Sequence, residues 1–283
     1  MLKYALQFED AYSIAWFRLF FAGLMLTGFI AGVRPQLIKD FKKGVPFISI
    51  LAGLLLGANY VGYLKGIEHT SASNAQIMIQ TGPLMLLLAG VFYFKEKLQL
   101  VQWIGVALAM VGFVFFYWDQ AMFNVDDLNS LLVGNSWIFM AAATWALYAV
   151  FHKKLISKGW EPQQLNIVLY LAAGLALIPI ADFPSLQSLD TNMLLFLLLL
   201  SINTIVAYGC IGEALKRIPA SFVSLIITVN PLMTLLLFEI MSQLDMKIVS
   251  PEPLAWRGYL GALLVVSGVG VAVSFKRAAG QRS

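Results

Sequence analysis

Residues 72–93 read ASNAQIMIQTGPLMLLLAGVFY, and residues 220–241 read ASFVSLIITVNPLMTLLLFEIM. A shift of 148 positions superposes them, laying Tyr60 on Tyr208, Gln76 on Ser224, Gln80 on Thr228, and Pro83, Leu84, Met85 on Pro231, Leu232, Met233. Gly105 and Gly112 match Gly261 and Gly268 once an extra stretch around Asp245 to Glu252 is admitted. Such internal symmetry marks duplicated helix units. Each stretch has the roughly 20 apolar residues needed to cross about 30 Å of hydrocarbon. Each proline stands ten residues after a serine, Ser73 or Ser221, which at 1.5 Å per residue is about 15 Å, half that depth. The proline ring removes one backbone donor and obstructs the carbonyl four residues earlier, those of Ile79 and Ile227. In lipid such a carbonyl must find a partner or line a wet cavity.

Working outward, seven further apolar runs accompany these two, at about Ala11 to Val33, Pro46 to Leu64, Leu98 to Tyr117, Gly134 to Phe151, Leu165 to Ala181, Thr191 to Ile211 and Trp256 to Phe275. The chain of 283 residues is 60% hydrophobic and 12% charged, with mean hydropathy +0.80, too apolar for a water-soluble core. The fold class is therefore an all-α polytopic membrane protein with the lipid bilayer as its solvent. Unbroken hydrophobicity excludes the alternating strands of an outer-membrane barrel.

Charge sorts by loop. The first, third, fifth, seventh and C-terminal loops hold Arg34, Lys39, Lys42, Lys43; Lys95, Lys97; Lys153, Lys154, Lys158; Lys216, Arg217; and Lys276, Arg277, Arg282, fourteen of the 19 basic residues. Those segments hold only Asp40, Glu96, Glu161 and Glu213 of the 15 acidic ones. The positive-inside bias puts these loops and the C-terminus in the cytoplasm, in a multi-pass membrane protein. Because the basic groups lie in short loops rather than along a stripe, the net charge of +4 reflects topology and not a nucleic-acid partner. Cys210 is the single cysteine, so no intrachain disulfide and no cysteine metal cluster can form. The first ten residues carry charges and no apolar core, unlike a cleavable signal.

The duplication divides the chain into a first repeat over 1–121 and a second over 132–283. Nine helices are visible, four in the first repeat and five in the second, so a tenth is expected ahead of the others. Residues Lys3 to Leu6 lie where the end of that first helix would fall. An odd number of spans per repeat inverts the second relative to the first, which lets the two proline helices meet across a pathway.

The candidate solute-binding residues stand beside the kinks. Gln76 and Gln80 are four apart and share a helix face, Ser224 and Thr228 share the matching face, and Asn230 adjoins the second kink at Pro231. Helix glue explains hydroxyls and amides of this kind as well, Ser224 and Thr228 above all. Further lining candidates are Asn59, Tyr60 and Tyr63 in the second run, Trp145 and Tyr148 in the fifth, and Asn203 and Tyr208 in the seventh. Tyrosine joins ring area to a hydroxyl, which suits amphipathic solutes; interfacial anchoring accounts equally for Trp145 and Tyr148. Arg18, seven residues into the first run, is either a snorkelling side chain or an external gate and anion attractor. The glycine pairs Gly105 with Gly112 and Gly261 with Gly268 read as helix packing.

No carboxylate falls in the middle of a run, which argues against coupling through a midplane acid. No phosphate loop, zinc-protease pair, serine elbow or Cys/His metal set appears, so neither an enzyme nor a cofactor or metal site is expected.

With these features in order, the chain resembles the drug/metabolite transporter superfamily in its EamA-type branch. The resemblance rests on Phe17-Arg18-Leu19, Thr70-Ser71-Ala72-Ser73 before Pro83-Leu84, Lys95-Glu96-Lys97, Thr144-Trp145-Ala146-Leu147-Tyr148, Glu213-Ala214-Leu215 before Pro219-Ala220-Ser221, and Pro231-Leu232. It implies two inverted EamA repeats with ten helices and alternating access. The implied activity is transport of small metabolites, with export of amino acids or related amphipathic solutes as the leading expectation. The alternative is a non-transporting membrane subunit or small-molecule sensor. A small-molecule substrate is the expected partner, and a homodimer is left open.

Overall fold

The computed structural model describes residues 2–70, 72–123, 128–230, 233 and 255–274. The described elements are helical: α1 (Leu2–Ala5), α2 (Ala11–Val33), α3 (Pro35–Lys39), α4 (Phe47–His69), α5 (Ala72–Met78), α6 (Thr81–Phe92), α7 (Leu100–Phe123), α8 (Leu128–Ile156), α9 (Pro162–Leu177), α10 (Phe183–Ser188), α11 (Thr191–Arg217), α12 (Ala220–Ile227) and α13 (Trp256–Ser274). Six stretches among the described residues are long and apolar enough to cross a bilayer: Ala11–Val33, Phe47–His69, Asn74–Phe92, Asn129–Ile156, Pro162–Ile180 and Thr191–Arg217. Leu100–Phe116 and Trp256–Ala272 are shorter apolar helices. Helix is the form in which lipid tolerates a backbone, because every interior N–H and C=O is paired within the segment.

The helix ends show local chemistry. Asp10 caps α2, accepting from the backbone of Tyr12 at 2.7 Å and Ser13 at 3.2 Å, and Asp190 caps α11 through Met193 N–H at 2.9 Å. Pro162 opens α9 at a position where a missing N–H costs nothing. The carbonyls at the end of α11 are served from α8, where Lys153 Nζ donates to Leu215 O at 2.6 Å and Ile218 O at 2.8 Å.

The helices gather into two compact units, and neither is a half of the sequence. One takes residues 1–68 and 136–218, the other 69–135 and 219–283, so each draws one stretch from each half. In the first unit α2 packs on α9 and α11. Glycine lets backbones close: a Cβ on Gly53 of α4 would lie 2.7 Å from Leu169 O of α9.

In the second unit α7 and α13 run antiparallel in close contact, with the glycines read as packing residues at their seam. A Cβ on Gly105 would lie 2.5 Å from Gly268 O, and one on Gly112 2.6 Å from Gly261 O. Leu87, Val106, Ala109, Leu225, Val265, Val269 and Ala272 fill the core beside this seam.

Pro83 breaks its span where the carbonyl argument places the break. The helix stops at Met78 and restarts at Thr81, leaving Ile79 and Gln80 as a turn. The Ile79 carbonyl does not stay free, because Gly82 N–H closes onto it at 2.9 Å, and Thr81 Oγ1 donates to the displaced Met78 carbonyl at 2.8 Å. The carbonyls of Ile79 and Met78 thus both find partners within the chain. Pro231 lies outside the described residues. On the same repeat position, α12 ends at Ile227 and the Thr228 side chain donates to Leu225 O at 2.6 Å.

Candidate functional site

A polar cluster occupies the middle of the first unit's helices. Tyr60 is fourteenth in the 23 residues of α4, and Thr204 fourteenth in the 27 of α11. Arg18 of α2 reaches both. Its Nη2 donates to Thr204 Oγ1 at 3.1 Å, and its guanidinium carbon stands 4.7 Å from the centroid of the Tyr60 ring. Thr204 Oγ1 also accepts from Tyr60 OH at 3.1 Å and donates to Leu200 O at 3.0 Å, so its capacity is full. Arg18 is 8% exposed, and its Nε is buried with no acceptor. Its side chain turns inward to mid-helix neighbours rather than out along α2.

No carboxylate pairs with this guanidinium among the described residues. The acidic groups nearest in sequence are engaged elsewhere: Asp10 caps α2, and Glu9 Oε1 accepts from Ser185 Oγ at 2.8 Å. A charged guanidinium in an apolar span costs at least about 2.5–3.5 kcal/mol on insertion scales, so the stacked ring and a single hydroxyl are thin compensation.

Tyrosines extend the cluster. Tyr208 of α11 has its ring 5.9 Å from Tyr60, 5.6 Å from Tyr148 of α8 and 6.4 Å from Tyr170 of α9. Tyr208 OH reaches Asn59 Oδ1 at 3.5 Å, while Asn59 Nδ2 donates to Ala141 O at 2.9 Å. Tyr170 OH donates to the Thr204 carbonyl at 3.3 Å. His152 stacks on Tyr148 with ring centroids 5.5 Å apart and keeps Nε2 buried without a partner. Such a group can bind a solute through ring faces, hydroxyls and one fixed positive charge.

Of the residues singled out in the sequence, Asn59, Tyr60, Tyr148, Tyr208 and Arg18 come together here. Trp145 is buried on α8 three residues before Tyr148, and Tyr63 is half-buried one turn beyond Tyr60. Asn203 lies on the exposed side of α11; its neighbour Thr204 is the one that points inward. One residue is a turn of about 100° on a helix, so the choice between them belongs to packing. Sequence reasoning passed over Thr204, Tyr170 and His152, although each is a polar or aromatic residue within or at the end of an apolar run.

The second unit holds the other candidates. Its helices α6 and α12 pack together. Gln80 is 3% exposed; its Nε2 is 3.4 Å from Gln76 O and its Oε1 is buried without a partner. Ser224 Oγ donates to Ser221 O at 2.8 Å and Thr228 Oγ1 to Leu225 O at 2.6 Å, so both hydroxyls on this face bond to their own helix. Asn230 is exposed, and Gln76 is half-buried. At the start of α12, Glu96 Oε1 accepts from Ala220 N–H at 2.7 Å, and Oε2 from Ser221 N–H at 2.9 Å and Ser221 Oγ at 2.7 Å. This carboxylate gives the Lys95-Glu96-Lys97 motif a role as a helix cap supplied from 124 residues away.

The profile of the EamA-like transporter family matches residues 1–118 and 132–274. The chain belongs to this family. It is 29% identical to an "Uncharacterized inner membrane transporter" of Escherichia coli (strain K12) over 94% of this chain and 84% of that one. It is 27% identical to the "Probable amino-acid metabolite efflux pump" of the same strain, over 87% of this chain and 84% of that one. It is also 25% identical to the "S-adenosylmethionine uptake transporter" of Rickettsia bellii (strain RML369-C), over 70% and 65%. A solved crystal structure superposes with a TM-score of 0.71 at 16% identity, covering 96% of this chain and 92% of that one, a likeness of fold. The chain is thus a multi-pass membrane protein, helical in its described elements and built from two EamA-like repeats, and its relatives are named transporters.

Proposed function

We propose that the protein carries small amphipathic metabolites, amino acids or related solutes, across the cell inner membrane by alternating access, with the C-terminus in the cytoplasm. What carries the reading is a cluster of polar side chains within apolar spans, Arg18, Asn59, Tyr60 and Thr204 buried and Tyr208 half-buried, in a chain whose family consists of transporters. Polar and charged groups inside spans are costly and mark solute paths. The cluster supplies aromatic surface together with hydrogen-bonding groups, which matches an amphipathic solute. Gln76 and Gln80 with Ser224, Thr228 and Asn230 form a second group of candidate contacts in the other compact unit, beside the kink at Pro83. Two relatives are named for solutes of this kind, one for efflux and the other for uptake, so export is the direction we propose from the first alone.

The test is flux in sealed vesicles containing the purified protein, over a panel of amino acids and amino-acid-derived metabolites, loaded inside or outside. Saturable counterflow of at least one solute is expected, reduced in Tyr60→Phe and Gln80→Ala variants that remain folded. A protein that is monodisperse and moves no member of the panel in either direction would count for the sensor or subunit reading instead.

A further inference from the structure

Among the described residues, Arg18 is a positive charge without a negative partner. Among the described residues it has one hydrogen-bond acceptor, Thr204 Oγ1, for five N–H donors, and its Nε–H is buried with none. Its position is held from two sides, by the Tyr60 ring under the guanidinium plane and by Thr204, which Tyr60 also engages. The acidic residues nearest to it in sequence, Glu9 and Asp10, are occupied by Ser185 and by the α2 N-terminus. A salt bridge with another part of the first unit is therefore not what holds this charge in an apolar span.

We infer that Arg18 is the receptor for the solute's carboxylate, and that the protein selects solutes bearing one. The inference rests on the transport reading above and names the substrate class for it. A guanidinium presents parallel N–H donors that match the two oxygens of a carboxylate, and an ion pair of this kind is stronger away from water than at a surface. With the carboxylate on Arg18, Tyr60 and Tyr208 offer ring surface for an apolar side chain. The tight fixing of Arg18 by Tyr60 and Thr204 keeps the donors oriented before the solute arrives. Lysine at this position would keep the charge and lose the fork.

The experiment compares wild type with Arg18→Gln and Arg18→Lys in two assays. In vesicles, counterflow of amino acids is measured against their carboxamides and the corresponding decarboxylated amines. In detergent, thermal stabilisation by the same three classes of compound is measured, which reads binding even where no flux occurs. The expected result is that wild type moves and is stabilised by the acids and not by the amides or amines. Arg18→Gln then raises the KM for acids about tenfold or more and abolishes the acid-specific thermal shift, with Arg18→Lys between the two. Equal handling of acids and amides by wild type overturns the inference, as does an unchanged KM in a folded Arg18→Gln protein; either leaves the transport reading standing. Absence of flux with an Arg18-dependent acid-specific shift sinks transport and keeps the carboxylate site. Absence of both sinks both. If Arg18→Gln does not fold, the acid-to-amide selectivity of wild type and the KM of Arg18→Lys decide.

Discussion

Replacing Glu96 by alanine removes the cap of α12 and no other described interaction of comparable strength. Its two oxygens accept three hydrogen bonds, from Ala220 N–H, Ser221 N–H and Ser221 Oγ, at 2.7 to 2.9 Å. Loss of an N-cap costs about 0.5–2 kcal/mol, and loss of a negative charge at a helix N-terminus about 0.3–1 kcal/mol more. Glu96 is half-buried, so water replaces part of what is lost, and a net destabilisation of about 1–2 kcal/mol follows. Glu96→Gln retains one accepting oxygen and loses at least one backbone bond, and should fall between wild type and Glu96→Ala. Gly90 offers an independent approach to the same cap, because a Cβ there would stand 2.7 Å from Glu96 Oε2 and 3.0 Å from Ser221 N. Gly90→Ala is therefore expected to displace the carboxylate and reproduce much of the Glu96→Ala effect, and the double variant should be less than additive. The measurements are thermal unfolding in detergent and hydrogen exchange at the first turn of α12. If Glu96→Ala leaves both the unfolding midpoint and the exchange of Ala220 and Ser221 unchanged, the capping argument is wrong.

Two further outcomes are expected. Gly105→Leu places a side chain where even a Cβ is 2.5 Å from the Gly268 carbonyl and 2.7 Å from Ala272 N; backbone cannot step aside as a side chain can, so a loss of about 1–3 kcal/mol or failure to fold is expected, whereas Gly28→Leu, with nothing within 4 Å, should unfold like wild type in the same scan. Burial raises the pKa of Glu9 above the ordinary carboxylate range, with Asp10 and Asp182 adding to the rise and the Ser185 hydrogen bond opposing it. The folded chain therefore favours protonated Glu9. That contribution is complete below the unfolded value of about 4.3 and is lost as pH rises through the folded one. Glu9→Gln should accordingly unfold at a higher temperature than wild type at neutral pH, with the difference vanishing near pH 4; a constant difference across that range would refute the assignment.

Six of the apolar runs, the break before Pro83, the packing role of Gly105, Gly112, Gly261 and Gly268, and the family were legible in the sequence. Lipid forces every span to be apolar along its length and internally hydrogen-bonded, and proline cannot hide its missing donor, so these features are written locally. Repeats also show as a shift of one stretch onto another. The same solvent erases the amphipathic stripe that would tell which side of a helix faces its neighbours. For that reason the sequence singles out Asn203 and passes over its neighbour Thr204, and it reads Arg18 equally as a snorkelling residue or an external gate. Only packing turned Arg18 toward Thr204 and Tyr60, brought His152 against Tyr148, and sent Glu96 to a helix end 124 residues later. Only packing, too, drew each compact unit from both halves of the chain. The sequence by itself determined which segments are helices in a membrane, because that follows from each segment's own hydrogen bonds and its solvent. Tertiary structure alone decided which polar groups meet, because partners far apart in the chain leave no mark on the local pattern of either.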